Sequence, residues 1–226
     1  RSLYKNIQRF LLFQLTVNVT ACLLVLCGAF MGTESPLTVT QMLWINLIMD
    51  TFAAIALASL PPSRKVMEDK PRDRRASILT PTMRKDIIGV GLFFFFLLVA
   101  MLYIFEHGDY TSMRELFLNF QLGERDGLST YELTLLFTTF VMTHFFYLFN
   151  ARAFETGKSA LHFKGCQGLL VIVVVIFGGQ VLMVEIPMLQ DFFNVTGLKF
   201  EDWVIIIVGS SLVLWIREIW SLLKKI

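Results

Sequence analysis

The sequence predicts an all-α membrane protein, a bundle of about six transmembrane helices with both termini cytoplasmic. Three observations lead there. Six apolar stretches are long enough to cross a bilayer, which takes roughly 17–25 helical residues. They cover residues 10–31, 37–60, 87–105, 133–149, 169–186 and 203–219. These runs are too long for strands and lack period-two alternation. Basic residues fall in alternate loops, which marks the cytoplasmic side of a membrane protein.

Composition agrees. The chain has 226 residues, 55% hydrophobic and 17% charged, with a mean hydropathy of +0.64. Soluble domains average about 45–50% apolar and about 25% charged, so an ordinary soluble domain is excluded. The 22 Phe suit lipid-facing surface. The lipid bilayer is the expected partner, and no nucleic acid is. Cys22, Cys27 and Cys166 show no metal spacing or redox pair and read as core or lipid-facing thiols.

In chain order, Arg1, Lys5 and Arg9 precede the first span. The short 32–36 loop has no basic residue. The second span ends at Pro61-Pro62. A Pro-rich loop follows with Arg64, Lys65, Lys70, Arg72, Arg74, Arg75, Arg84 and Lys85, which anchors the cytoplasmic side or meets anionic lipid. The Phe93 to Phe96 run of the third span reads as lipid-facing packing. Glu106, Asp109, Glu115, Glu124 and Asp126 outweigh Arg114 and Arg125 in the next loop, where residues 110–122 could form a short amphipathic piece. Arg152, Lys158 and Lys164 follow the fourth span. Asp191, Glu201 and Asp202 outweigh Lys199 after the fifth. Trp203 opens the last span, and Trp215 and Trp220 lie towards its cytoplasmic end beside Arg217, Lys224 and Lys225. Such aromatics sit at headgroup depth. Residues 1–226 show no internal repeat and read as one domain. Arg1 stands where an initiator Met would, so a piece of a longer chain is expected.

Polar groups at membrane depth are the candidate functional residues. Asp50 and Asn46 are four apart in QMLWINLIMDTF and would share one face of a helix. A carboxylate at mid-membrane costs about 2.5–3.5 kcal/mol on insertion scales and is functional by default. Asn18 lies on the neighbouring span, His144 on the fourth and Gln180 on the fifth. Hard cations such as Ca²⁺ take carboxylate, amide and backbone oxygens. Asp50 and Asn46 supply a carboxylate and an amide, and Asn18 adds a third oxygen. A proton site would need the carboxylate alone. A transition-metal site would want Cys or His beside it, and neither accompanies Asp50. Asn18 reads equally well as a hydrogen bond between helices, worth about 0.6 kcal/mol. His144 reads as a satisfied polar contact, a proton-linked group or a neighbour of the ion site.

The segments Phe13-Gln14-Leu15-Thr16-Val17-Asn18-Val19, Ser35-Pro36-Leu37, Gln41-Met42-Leu43-Trp44-Ile45-Asn46-Leu47-Ile48-Met49-Asp50-Thr51 and Pro61-Pro62 carry a resemblance. So does Asn150-Ala151-Arg152 after the fourth span. Together they resemble the C-terminal membrane half of a P-type calcium-transporting ATPase of the plasma-membrane type. The resemblance implies helices five to ten of such a pump. It puts Asn18 at the fifth-helix amide ligand, and Asn46 and Asp50 at the amide and the essential carboxylate of the sixth. The two-ion branch of the family has Glu, Thr and Glu where this chain has Ala21, Met49 and His144, so one calcium site is implied.

The resemblance further implies that a phosphorylated Asp-Lys-Thr-Gly motif, a nucleotide-binding headpiece and the earlier membrane helices belong to the parent chain. Mg²⁺ and ATP would be cofactors of that parent only. The absent helices and headpiece would be this segment's partners, with residues 1–9 as a stalk and the basic loop meeting the headpiece. Without a long calmodulin-binding tail, a bacterial inner-membrane pump is expected. It would export Ca²⁺, with protons returning when Asp50 loses its ion. The alternatives are a Mn²⁺ or monovalent-cation P-type ATPase, a small secondary transporter or channel, and a structural membrane subunit. An inverted repeat would favour the second, and none is seen.

Overall fold

A computed structural model describes residues 2–32, 35–58, 60, 77–108, 110–118, 127–156, 159–161 and 167–223. The loop basic residues Arg64 to Arg75, Cys166, Glu124, Asp126, Lys158, Lys164 and the terminal lysines lie outside these. Among the described residues there is helix and no strand. Five helical stretches of the described residues are long and apolar enough to cross a membrane.

Helix α1 is Ser2–Met31. At 1.5 Å per residue its 30 residues reach about 45 Å, beyond the roughly 30 Å hydrocarbon core. The second stretch is not one regular helix. It is α2 (Val39–Trp44), a π-helical turn (Ile45–Met49) and α3 (Asp50–Ala58). Thr38 starts it with a reciprocal cap: its hydroxyl accepts from the Gln41 amide, and the Gln41 side chain accepts from Thr38 N–H.

Helix α4 (Pro81–Glu106) begins six residues before the apolar run expected from 87, because Thr80 caps it and Pro81 fills its first position. Helix α5 (Met113–Leu118) is a single short segment within the expected 110–122 piece. Helix α6 is Thr130–Arg152 and α7 is Gln167–Glu185. A separate short helix, α8 (Pro187–Phe193), follows the break at Ile186 and ends at Asn194 in the left-handed region (φ 53°). Helix α9 is Phe200–Leu223, covering the sixth expected stretch.

Helix α6 is the axis of the bundle. It packs against α1, α4, α7 and α9, and nearly every residue from Glu132 to Arg152 is buried. Three of its threonines bond back to their own helix, Thr134 to Thr130 O, Thr139 to Leu135 O and Thr143 to Thr139 O, whereas the buried Thr138 hydroxyl has no partner among the described residues. Glu132 is fully buried yet satisfied. It accepts from Ser129 N–H and hydroxyl at 2.8 Å and from Tyr110 N–H at 3.3 Å.

One sequence expectation needs correction. Phe93 and Phe96 are exposed, but Phe94 is fully buried and packs edge-on against His144 and Tyr147. Four consecutive residues at 100° spacing cannot all face lipid. Trp203 is buried by its neighbours, and its indole N–H donates to Glu185 at 2.9 Å. Trp215 is half exposed.

The start of α1 is tied to its neighbours. The Asn6 amide donates to Ala58 O and Leu60 O at 3.2 and 3.3 Å, and its oxygen accepts from Arg9 at 3.0 Å. Arg9 also donates to Phe154 O, Gln8 to Ile78 O, and Lys5 pairs with Glu155 at 2.9 Å. At the other end Asp202 accepts from Met113 N–H and from the Tyr131 hydroxyl, joining α5, α6 and α9.

Candidate ion site

The site residues sit where α1 meets the interrupted second span. Helix α3 packs against α1 and α7 and turns Asp50, Ala53, Ala56 and Leu57 inwards. The π turn before it closes with the Asp50 N–H bonding Ile45 O, five residues back. Such turns are rare and cluster at functional sites. INLIM contains neither Gly nor Pro, so nothing in its residues announces the break.

Asp50 is buried, 5% exposed. Its Oδ1 has no hydrogen-bond partner among the described residues, and the Gln14 side chain of α1 lies beside the carboxyl group. A buried carboxylate oxygen without a donor is costly unless a cation or proton serves it. Gln14 was not singled out from sequence. The signal was its position four residues before Asn18, on the same face of α1.

Asn18 is half-buried on α1, and Asn46 is exposed within the π turn. Thus the two residues expected on one face differ in cover: the described helices enclose Asp50 and leave Asn46 open. Ala21 and Met49, at 1% exposure each, are apolar core and offer no oxygen. Among the described residues no three His, Cys, Asp or Glu side chains come together to hold a metal. A cation here would draw on one carboxylate with amide and carbonyl oxygens, the chemistry of a hard ion.

His144 is fully buried in the bundle's interior. Its Nδ1 is 2.7 Å from Phe140 O, and its ring packs between Phe94 and Phe140. These neighbours belong to α4 and α6, and Nε2 has no partner among the described residues. Gln180 is fully buried on α7 and accepts the Trp44 indole N–H at 3.2 Å. Cys22 is exposed and Cys27 half-buried, both free thiols.

Residues 34–223 match the family model described as "Cation transporting ATPase, C-terminus". The chain is 34% identical over 218 residues to plasma membrane calcium-transporting ATPase 2 of Oreochromis mossambicus, covering 95% of this chain and 19% of that protein. It is 33% identical over 222 residues to plasma membrane calcium-transporting ATPase 4 of Homo sapiens, covering 95% and 17%. A Caenorhabditis elegans plasma membrane calcium-transporting ATPase is 34% identical over 226 residues, again at 95% and 17%. The chain therefore spans under a fifth of the length of these relatives.

Proposed function

From the premise that this chain belongs to the family of C-terminal regions of cation-transporting ATPases, we propose that it is the membrane portion of an ATP-driven calcium pump. It would export Ca²⁺ from the cytoplasm and carry part of a single ion site. The single observation that carries the site is Asp50: a buried carboxylate beside a π turn, with one oxygen unserved by the described residues.

In this reading Asp50 gives the ionic ligand, and Asn46 and Asn18 give amide oxygens. Ala21 and Met49 supply no oxygen for a second ion. The open side at Asn46 admits ligands from segments outside these 226 residues. The Asp-Lys-Thr-Gly motif does not occur among them, so phosphorylation, ATP and Mg²⁺ belong to the rest of the protein. This segment alone would not hydrolyse ATP. The basic loops favour a cytoplasmic position for both ends, and the plasma membrane is the proposed location. The whole of 1–226 acts as one domain, with lipid and the pump's own headpiece as partners.

Transport follows from differential affinity, since an ion can shift a conformational equilibrium only as far as it prefers one state. Asp50 holds Ca²⁺ in the inward-facing state and takes up a proton once the ion has left outward. His144, buried against Phe94 and Phe140, is proposed as a packed polar contact rather than a ligand.

The test is ATP-dependent uptake of Ca²⁺ and Mn²⁺ by inverted vesicles carrying the full-length protein. Saturable Ca²⁺ uptake preferred over Mn²⁺ is expected. Mn²⁺ preferred over Ca²⁺ would overturn the choice of ion, because oxygen ligands suit both. Uptake of neither would overturn the pump reading.

A further inference from the structure

Trp44 is the last residue before the π turn, and it is held by α7 and α8. Its indole N–H donates to Gln180 Oε1 at 3.2 Å. Its ring fits against Gly179, where an added Cβ would come within 3.2 Å of the indole. The ring also meets Phe193 of α8 edge-on, with centroids 5.4 Å apart. One turn earlier the Gln41 side chain donates to Phe193 O at 3.1 Å. Four contacts thus fix α2 on the α7–α8 corner. On the other side of the π turn, α3 is fixed separately by its packing on α1 and α7.

A π turn spends one more residue than an α turn. If it relaxed to α geometry, α2 and α3 would rotate relative to each other by about 100°, the angle of one residue. Asn46 lies inside that turn and Asp50 directly after it. The orientation of the amide relative to the carboxylate therefore depends on holding both flanks in phase. A Gly at 179 leaves room for the indole, and the buried Gln180 supplies the acceptor that fixes its rotation.

We infer that Trp44, Gly179 and Gln180 are positioning residues for the ion site, setting its affinity from α7 without touching the ion. The inference rests on the reading of Asp50 and Asn46 as ligands. A side chain on the fifth span thereby governs chemistry on the second.

The experiment uses the full-length pump in vesicles and reads Ca²⁺ dependence and maximal rate for Trp44→Phe, Gln180→Leu, their double variant and the milder Gly179→Ala, with Asp50→Asn in the same preparation. Loss of one hydrogen bond is expected to raise half-saturating Ca²⁺ about fivefold at a retained maximal rate. The double variant should match either single one, since both remove the same bond. Unchanged half-saturation in Trp44→Phe, Gln180→Leu and Gly179→Ala would overturn the inference. So would a lowered maximal rate with unshifted Ca²⁺ dependence, the signature of packing alone. Normal transport by Asp50→Asn would instead sink the ion-site reading on which the inference stands.

Discussion

The Gln14 side chain on α1 lies beside the carboxyl group of Asp50 on α3, where the two spans meet at the buried acid. The carboxyl oxygen Oδ1 has no hydrogen-bond partner among the described residues. Gln14 is thus placed to steady Asp50 while that oxygen stays open to a ligand. In the full-length pump, Gln14→Leu should raise half-saturating Ca²⁺ by about three- to tenfold, the worth of one ordinary polar contact of about 0.7–1.4 kcal/mol. Ca²⁺-dependent uptake measures it. An unshifted curve would mean that Asp50 is held by packing alone.

Asn6 predicts a stability effect. Its amide serves Ala58 O and Leu60 O at the end of α3, carbonyls that a helix terminus leaves unpaired. Asn6→Ala removes both bonds and the acceptor for Arg9. The detergent-solubilised protein should lose about 1–3 kcal/mol, read as a lower unfolding midpoint. The Lys5–Glu155 pair is partly exposed, at 31% and 34% for its side chains, so Lys5→Ala should cost under about 1 kcal/mol.

Glu132 predicts a larger loss. Its fully buried carboxylate collects three donors from Ser129 and Tyr110. Glu132→Ala strands them and should cost about 2–4 kcal/mol. Glu132→Gln keeps one oxygen acceptor and should cost less. Thermal unfolding of the two variants side by side checks the order.

The helical membrane architecture was legible because bilayer-length apolar runs need no tertiary knowledge. Asp50 was legible too, because a carboxylate amid apolar residues stands out in any alignment of helix faces. The π turn was not: Ile45 to Met49 are ordinary apolar residues and Asn, and tertiary contacts at Trp44 and around α3 decide the winding. Gln14 was missed because an amide near a span's polar end looks unremarkable until α3 is packed beside it. Phe94 was misplaced because a run of four Phe was read as one surface. A helix instead gives each of the four its own direction, and one of them meets His144. Gln180 was visible as a polar residue in the membrane, yet its partner Trp44 lies 136 positions away.

The central claim is that Asp50 binds the transported ion. The direct measurement is ATP-dependent Ca²⁺ uptake by inverted vesicles carrying full-length Asp50→Asn at wild-type abundance. The substitution keeps shape and removes the charge that a divalent cation requires. Uptake should fall to background at micromolar Ca²⁺. Uptake with the wild-type rate and Ca²⁺ dependence would contradict the account.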